Sequence, residues 1–358
     1  MVEQSTQFDA RSIRRLAKNI LKRISGVNEV EREVRRLRAE LAPKSRPAGQ
    51  YDLVRLDNIS LFMPMYDNLY EHYVSDQCKG FTLERHRELE LTEVAFSADE
   101  LQSDVTKLLP LYLDVLFTHD ISVHFLDIGA WVGDVAIRLA KFAKLQGRGK
   151  FYAECFDPSF AGTLIPFNTE LNGVSDQVAF RPVGISTTGG PLVFAQIPGH
   201  SDSSKLASIA NDGQRTETYL IHTRTLSECL PQDRDAHVMV KIDVEGIDAK
   251  LVSQNRDKLR DATLMIEYSP SQDQYLDIDP AAFLTSLMET HILFDVYYLP
   301  RPTRATRITD AGVFKLEVLA RPHRYTDVLA VPRTLSASEA IVDAFSRLKP
   351  IEPSNLMA

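Results

Sequence analysis

Apolar residues in the second half of the chain form short runs separated by stretches of helical spacing, the pattern of alternating strands and helices. In Val123 to Asp134 (VHFLDIGAWVGD), an apolar run ends in an acid and two glycines, and helical spacing follows. Such a stretch predicts a buried parallel strand, a tight turn and a helix. Because glycine lets backbone amides approach a ligand closely, the turn is typical of a nucleotide-type site.

The glycine spacing narrows the class of ligand. The dinucleotide fingerprint needs three glycines as GxGxxG, whereas this turn has only Gly129 and Gly133, with Asp127 two residues ahead of the first. Binding of a nicotinamide dinucleotide is therefore the weaker interpretation.

The strand and helix pattern repeats along the chain. Strands are predicted at 123–128, 150–156, 178–183, 237–242, 263–267, 293–298 and 327–331, with an extra strand at 219–225. Helices are predicted at 98–117, after Gly133, at 160–171, around Leu251 and Leu259, and at 283–290. This alternation implies an α/β fold with a parallel, doubly wound sheet, in which ligands bind at the carboxyl ends of the strands.

The N-terminal segment has a different pattern. Residues 9–42 carry apolar residues at heptad spacing, which is typical of a coiled coil, although Ser25 and Gly26 interrupt it. The apolar stripe either joins chains into a homo-oligomer or packs on the chain's own body. The boundaries that we predict are a helical extension with linker at 1–49, a mixed, mainly helical lead-in at 50–120, the sheet domain at 121–335, and a C-terminal helix and tail at 336–358.

Composition places the chain among ordinary globular proteins. It has 358 residues, of which 25% are charged and 44% hydrophobic, and no run approaches the roughly 20 apolar residues of a membrane span. The N-terminus lacks the apolar core of a secretory signal, so a cytoplasmic location is expected. Three widely spaced cysteines argue for reduced thiols and against a cysteine-held metal.

Charge is distributed unevenly along the chain. Residues 1–49 hold 12 Lys and Arg against 6 Asp and Glu, although the whole chain has a net charge of −8, so the remainder is strongly acidic. Phosphate binding needs clustered basic residues. A nucleic-acid partner is therefore not expected.

Acidic residues follow several of the predicted strands. Asp127, Asp157, Asp243 and Glu267 each lie at or just past a strand's C-terminal end, so they are predicted to converge on one crevice. Asp157 has the position from which a carboxylate accepts hydrogen bonds from both hydroxyls of a ribose. Its alternative role is to cap the helix that begins after Pro158.

These motifs together resemble a known family. LDIGAWVGD, FDP at the second strand end, RTLSECL, VKIDVEGID and IEY, spread over about residues 123–331, are similar to the FkbM-type family of class I S-adenosylmethionine (AdoMet)-dependent methyltransferases. The resemblance implies a Rossmann-like, seven-stranded, mostly parallel sheet with helices on both faces. It also implies AdoMet under the glycine turn, the ribose on Asp157, and methyl transfer to an oxygen, often on a sugar or glycosylated product.

The predicted cofactor-binding residues surround this turn. They are Asp127, Gly129, Ala130, Trp131, Gly133, Asp157 and Asn172. Trp131 departs from the family's pattern, which usually has asparagine at that position. Its ring is expected either to stack on the substrate or the adenine, or to be buried in the core.

The predicted catalytic residues are Asp243, Glu245, Glu267 and His200. Asp243 is expected nearest the transferring methyl group, as acceptor of the hydroxyl proton. Glu245 would share its face if the strand continues, or else compensates the charge of a helix N-terminus, and Glu267 completes the pocket wall. His200 lies in a polar segment, 199–215, predicted to be a lid, where it is either a base or an uninvolved surface histidine.

Magnesium on Asp243 and Glu267 is an alternative that the sequence leaves open, since carboxylate oxygens suit that ion. The leading hypothesis is an AdoMet-dependent O-methyltransferase that acts on a carbohydrate or a carbohydrate-bearing small molecule. The alternatives are a methyltransferase acting on RNA, protein or another metabolite, and a methyltransferase-like scaffold that binds a partner.

Overall fold

The computed structural model describes residues 51–56, 59–64, 93–96, 104–147, 149–197, 200–206, 217–231, 235–273, 277–296, 305–321 and 324–347. The predicted coiled coil at 9–42 and its linker lie outside the described residues, so self-association through this segment stays a prediction.

The central sheet has eight strands in the spatial order β14-β13-β15-β12-β11-β4-β5-β6. These strands are β4 (Val123–Ile128), β5 (Phe151–Phe156), β6 (Val178–Arg181), β11 (His237–Ile242), β12 (Thr263–Tyr268), β13 (His291–Asp295), β14 (Thr306–Ile308) and β15 (Thr326–Pro332). The five from β6 to β12 are parallel, and β15 runs antiparallel between β12 and β13.

This order confirms the predicted class I methyltransferase fold. Numbered from β4, the parallel strands follow the doubly wound order 3-2-1-4-5, and β15 enters as an antiparallel strand beside β12. All seven predicted sheet strands are present. The short strand β14 adds an eighth at the edge, where three residues are too few to show a recognisable pattern.

Helices cover both faces of the sheet. They are α1 (Asp104–Thr118), α2 (Asp134–Gln146), α3 (Ile165–Leu171), α4 (Leu226–Cys229), α5 (Asp248–Gln254), α6 (Arg256–Leu259), α7 (Pro270–Asp273), α8 (Pro280–Met288), α9 (Ala311–Leu319) and α10 (Ser338–Ser346). A 3-10 turn, Ala161–Leu164, precedes α3. Within the described residues, none of the helices has the length and apolar character that crossing a bilayer requires.

Strand alternation sends successive side chains into two separate cores. Phe125 packs with α1, α2 and α10 on one face, and its neighbour Leu126 packs with α5, α8 and α9 on the other. Because both faces are covered, the strands read as continuous apolar runs. Polar side chains at the strand ends therefore depart from this apolar pattern, and these side chains form the candidate site.

A second sheet corrects the prediction for residues 186–218. Its four strands are ordered β7-β10-β8-β9 and comprise β7 (Gly184–Ser186), β8 (Gly190–Ile197), β9 (His200–Leu206) and β10 (Glu217–Thr225). The sequence predicted an irregular stretch here, and a lid loop at 199–215. The polar residues of β9 give no apolar pattern from which a strand could be predicted. They occur in a strand here because β9 lies at the sheet edge, where it pairs with β8.

The lead-in at 50–120 also differs from the expectation of a mainly helical segment. Its described part contains α1 and a three-stranded sheet of β1 (Tyr51–Leu56), β2 (Ile59–Pro64) and β3 (Glu93–Phe96). The strands β1 and β2 form an antiparallel hairpin, and β3 pairs parallel to β1. Pro64 ends β2, where a missing amide hydrogen costs no ladder bond.

Candidate active site

Charged side chains form two adjacent rows across the carboxyl edge of the sheet. In the inner row, Asp127 on β4 and Lys241 on β11 are register partners. In the outer row, Glu267 on β12 pairs with Asp327 on β15, and Asp243 immediately follows β11. Residues two apart on a strand share a face, so both rows lie on the face covered by α1, α2 and α10.

The turn after β4 lies against the outer row. Gly129 has φ +76°, and a Cβ atom at this position would lie 1.7 Å from the carbonyl oxygen of Asp243. The amides of Gly129 and Ala130 both donate to the Phe156 carbonyl, at 2.9 and 3.2 Å. Gly133, with φ +80°, then begins α2. Only glycine at 129 lets the turn come this close to the acidic residues.

Trp131 lies inside this turn with its side chain only 9% exposed. Its ring belongs to the apolar core formed with α1 and α2, which agrees with the buried alternative. The backbone at Trp131 has φ +46°, a left-handed conformation that is costly for a residue with a Cβ. Its amide donates to Asp157 Oδ2 at 2.8 Å, and this bond helps to hold the strained turn.

Asp157, at the end of β5, is fixed by two backbone amides. Trp131 donates to one carboxylate oxygen, and the Ser159 amide donates to the other at 2.7 Å. Burial raises the pKa of Asp157, while these hydrogen bonds and Lys241 oppose the shift. The Ser159 hydroxyl is a further hydrogen-bonding partner, so the carboxylate is held in a fixed orientation.

Asp243, Glu245 and Glu267 form a carboxylate triad, with one oxygen of each within 4.8 Å of the others. Strand β11 ends at Ile242, and Glu245 adopts φ +58°, so the strand conformation does not persist, which was the condition for Glu245 to share a face with Asp243. Asp248 explains the turn, because its two oxygens accept from the amides of Val244 and Gly246 at 3.0 and 3.1 Å. The turn nevertheless brings Glu245 to the triad.

Glu267 is the most perturbed acid of the triad. Burial raises the pKa of Glu267 well above its usual range, and the nearby charges of Asp243 and Glu245 raise it further. The shift favours the protonated form, which can donate a hydrogen bond. The site combines this acid with Asp243, whose side chain is 37% exposed.

Lys241 links the two rows. Its ammonium donates to Asp243 Oδ2 at 2.9 Å and lies 3.9 Å from Asp127 Oδ1. Burial alone would lower the pKa of Lys241, but Asp243 and Asp127 together raise it above the usual range. The lysine therefore stays charged. No role was predicted for Lys241, which lies within VKIDVEGID. A charged residue inside a buried strand nevertheless indicates a candidate site residue.

Asp127 is the most deeply buried acid in the two rows, at 1% exposure. Neither of its oxygens accepts a hydrogen bond of normal geometry within the described residues. Burial raises the pKa of Asp127 to about 7, while the charge of Lys241 opposes the shift. An incompletely satisfied carboxylate beneath the glycine turn marks the centre of the site.

Asp327 was missed as a site residue. It lies near the start of β15, and an antiparallel strand begins at the edge where the parallel strands end. Burial and the charge of Asp243 raise the pKa of Asp327 to about 7. Its position would have followed from the sequence if the direction of the last strand had been known.

Asn168 was also missed. It is fully buried in α3, and its amide group donates to the Val132 carbonyl at 2.9 Å, which holds the glycine turn from behind. Asn172, the predicted cofactor residue, lies one helical turn later at the end of α3. Its side chain donates to the Asn168 carbonyl and accepts from Lys141. Cofactor contact by Asn172 stays a prediction.

His200 lies at the start of β9, in register with Ile197. It is therefore in a strand and not in the predicted loop, and residues 199 and 207–215 of the proposed lid lie outside the described residues. The role of His200 as a base stays a prediction.

Comparisons with known proteins give distant structural likenesses. No protein-family model and no curated protein sequence matches the chain. A Listeria monocytogenes protein assigned to the class I S-adenosylmethionine-dependent methyltransferases shares 10% identity and a TM-score of 0.36, covering 94% of this chain and 81% of its own. The ribosomal protein L11 methylase of Lactobacillus delbrueckii subsp. bulgaricus shares 13% identity and a TM-score of 0.29, covering 64% and 78%.

A Burkholderia thailandensis protein bound to S-adenosyl-homocysteine shares 13% identity and a TM-score of 0.23, covering 95% and 80%. Likenesses this distant assign neither an activity nor a substrate. The function therefore has to be argued from the fold and the site.

Proposed function

We propose that the chain is an AdoMet-dependent O-methyltransferase that acts on a hydroxyl of a sugar, a glycan or a glycosylated product. The observation that carries the proposal is the contact between the glycine turn and the backbone of Asp243. A cofactor in the turn and an acceptor on the acids would thus meet at one edge of the sheet.

The residues around the turn fit AdoMet. Without a Cβ at Gly129 the turn packs directly on the backbone of Asp243, and α2 presents the amides of its N-terminus beyond Gly133. Asp157 has its carboxylate fixed at the end of β5, from where it would accept from the ribose. The acidic rows provide the negative field that a sulfonium cation requires.

Asp243 is the residue that we assign to accept the proton of the acceptor hydroxyl. When bound, AdoMet supplies an electrophilic methyl group. Asp243 is the best placed acid for the proton, since it is the more exposed partner of Lys241 and adjoins the glycine turn. General-base assistance of this kind contributes roughly 10² to 10⁴ in rate.

Glu245 and Glu267 would bind further hydroxyls of the acceptor. An ionised carboxylate accepts hydrogen bonds from two hydroxyls at once, and the protonated form that the raised pKa of Glu267 favours also donates one. This mixture suits a polyol such as a sugar. The same acids repel a phosphate-bearing acceptor, which counts against RNA.

The experiment that tests the proposal is transfer of tritium from methyl-labelled AdoMet into a cell extract, followed by separation of the labelled products by class. Label in a carbohydrate fraction that base treatment does not release supports a methyl ether. Label confined to protein or RNA would overturn the acceptor class, although methyl transfer itself would stand.

The same assay shows whether methyl transfer needs a magnesium ion bound to the triad. Three carboxylate oxygens within 4.8 Å are a donor set that magnesium accepts. Transfer that persists in excess chelator excludes a catalytic metal. Loss of transfer that magnesium restores assigns the triad to metal binding.

A methyltransferase-like binding protein is the second candidate, and one observation favours it. Asp157, the predicted ribose ligand, is only 7% exposed and is already held by the Trp131 and Ser159 amides. A chain that has lost the cofactor would keep its fold and such a closed turn. Calorimetry with AdoMet separates the two candidates.

A further inference from the structure

The inner row of the site contains an ion pair where the neighbouring positions are apolar. The register partners in this row, in their order across the sheet, are Cys155, Asp127, Lys241, Met265 and Leu329. An apolar pair would fit this row, and replacing a buried ion pair by well-packed apolar residues is often neutral or stabilising. Stability therefore does not explain why Asp127 and Lys241 are charged.

Lys241 connects a buried residue to a solvent-facing one. Asp127 beneath the turn is 1% exposed, the Lys241 side chain is 12% exposed, and the Asp243 side chain is 37% exposed. The ammonium donates to Asp243 in the outer row, and Asp127 attracts it from the inner row. The Lys241 ammonium is thereby held between the two carboxylates.

Without this tether, the neighbouring acids would displace the Asp243 carboxylate. One of its oxygens lies within 4.8 Å of one oxygen of Glu245 and one of Glu267. The like charges of Asp243 and Glu245 repel, and the Asp243 side chain, which is exposed to water, can rotate away. A hydrogen bond from a cation at 2.9 Å restrains one carboxylate oxygen and leaves the other for a substrate.

We propose that Lys241 is a positioning residue, which holds the Asp243 carboxylate in the orientation that accepts the acceptor's proton. The inference rests on the proposed function and adds a residue to it. Lys241 touches neither cofactor nor acceptor in this proposal and acts through Asp243, with Asp127 as its anchor.

The test compares variants of the full chain in two assays. Binding of AdoMet is measured by calorimetry, and initial methyl transfer is measured at saturating AdoMet into the labelled fraction of the cell extract. Lys241→Met removes the charge, and Lys241→Arg restores it. Asp127→Asn with Lys241→Met removes both charges, so that no buried carboxylate loses its partner if the single variant folds poorly.

Arg321→Met is the matched control. Arg321 makes a two-bond ion pair with Asp295, at side-chain exposures of 18% and 14%, and has no part in the site. Its loss reports what removing a comparably buried ion pair does to stability alone.

We expect Lys241→Met to bind AdoMet within about threefold of the original chain but to transfer methyl groups about 10- to 100-fold more slowly. The double variant should be equally slow, Lys241→Arg should recover most of the rate, and Arg321→Met should transfer normally despite a lower melting temperature. Normal transfer by folded Lys241→Met, or no recovery in Lys241→Arg, would overturn the role of Lys241. If the original chain itself binds no AdoMet, the proposed function fails first and the role of Lys241 fails with it.

Discussion

The backbone of Gly129 touches the backbone of Asp243 so closely that a single added carbon on Gly129 would lie 1.7 Å from the Asp243 carbonyl oxygen. This contact joins the turn after the first sheet strand to the turn after the fourth. A change in one turn is therefore transmitted to the other.

Gly129→Ala should abolish AdoMet binding and destabilise the fold, because the clash is with backbone and one of the two turns has to move. Gly147→Ala is the control, since Gly147 also has positive φ, at +62°, but faces open space. Gly147→Ala should lower the free energy of unfolding by roughly 1 to 2 kcal/mol, which is the usual effect of an alanine in a left-handed conformation. Urea unfolding and calorimetry measure both effects, and equal behaviour of the two variants would contradict the contact.

Asp243→Asn should abolish methyl transfer and leave AdoMet affinity nearly unchanged. The substitution keeps the shape of the side chain but removes its capacity to accept a proton. Asp261→Asn, at an exposed acid that accepts only from Thr334 among the described contacts, is the control. A fully active Asp243→Asn variant would remove Asp243 from the mechanism.

Asn168→Ala should weaken AdoMet binding, because the Val132 carbonyl loses its donor and the glycine turn loses its rear support. Leaving such a buried group unsatisfied costs about 1 to 3 kcal/mol. Asn172→Ala, one helical turn away and partly exposed, should cost less than about 1.5 kcal/mol. If Asn172→Ala instead has the larger effect on AdoMet affinity, the original prediction of a cofactor contact at Asn172 is the better one.

Asp327 gives a prediction about stability and pH. Its folded pKa of about 7 is above the unfolded value of 3.8, so between pH 4 and 7 the folded chain holds a proton that the unfolded chain has released. Stability contributed by this group is present below pH 4 and is lost as pH rises to 7. Asp327→Asn should therefore gain stability relative to the original chain as pH rises, by on the order of 2 to 4 kcal/mol. Urea unfolding at pH 5 and pH 8 measures the difference, and a pH-independent difference would contradict the shift.

The sequence was sufficient for the central sheet because buried parallel strands are unmistakable apolar runs. The strand predicted at 237–242 matches β11, His237–Ile242, and two of the predicted strand-end acids, Asp243 and Glu267, lie close together. In contrast, β9 (HSDSSKL) has no apolar pattern, since its pairing is made by backbone groups at a sheet edge. Periodicity carries no information about such a strand.

The site residues that the sequence did not reveal are those whose role depends on the direction of a strand or on a partner that is distant in the chain. Asp327 joins the site only because β15 is antiparallel, and Asn168 only because α3 packs behind the glycine turn. Lys241 lies within a motif that was recognised, but its partner Asp127 is on another strand. None of these relationships is local in the chain.

The central claim is that the glycine turn holds AdoMet beside the acids, and calorimetric titration of the full chain with AdoMet tests it most directly. Titration of Asp157→Asn alongside it identifies the site. The account predicts saturable one-to-one binding by the original chain and at least about tenfold weaker binding by the variant, since a hydrogen bond to a charged group is worth about 1.5 to 3 kcal/mol. No heat of binding at millimolar AdoMet, or equal binding by the two chains, would contradict it.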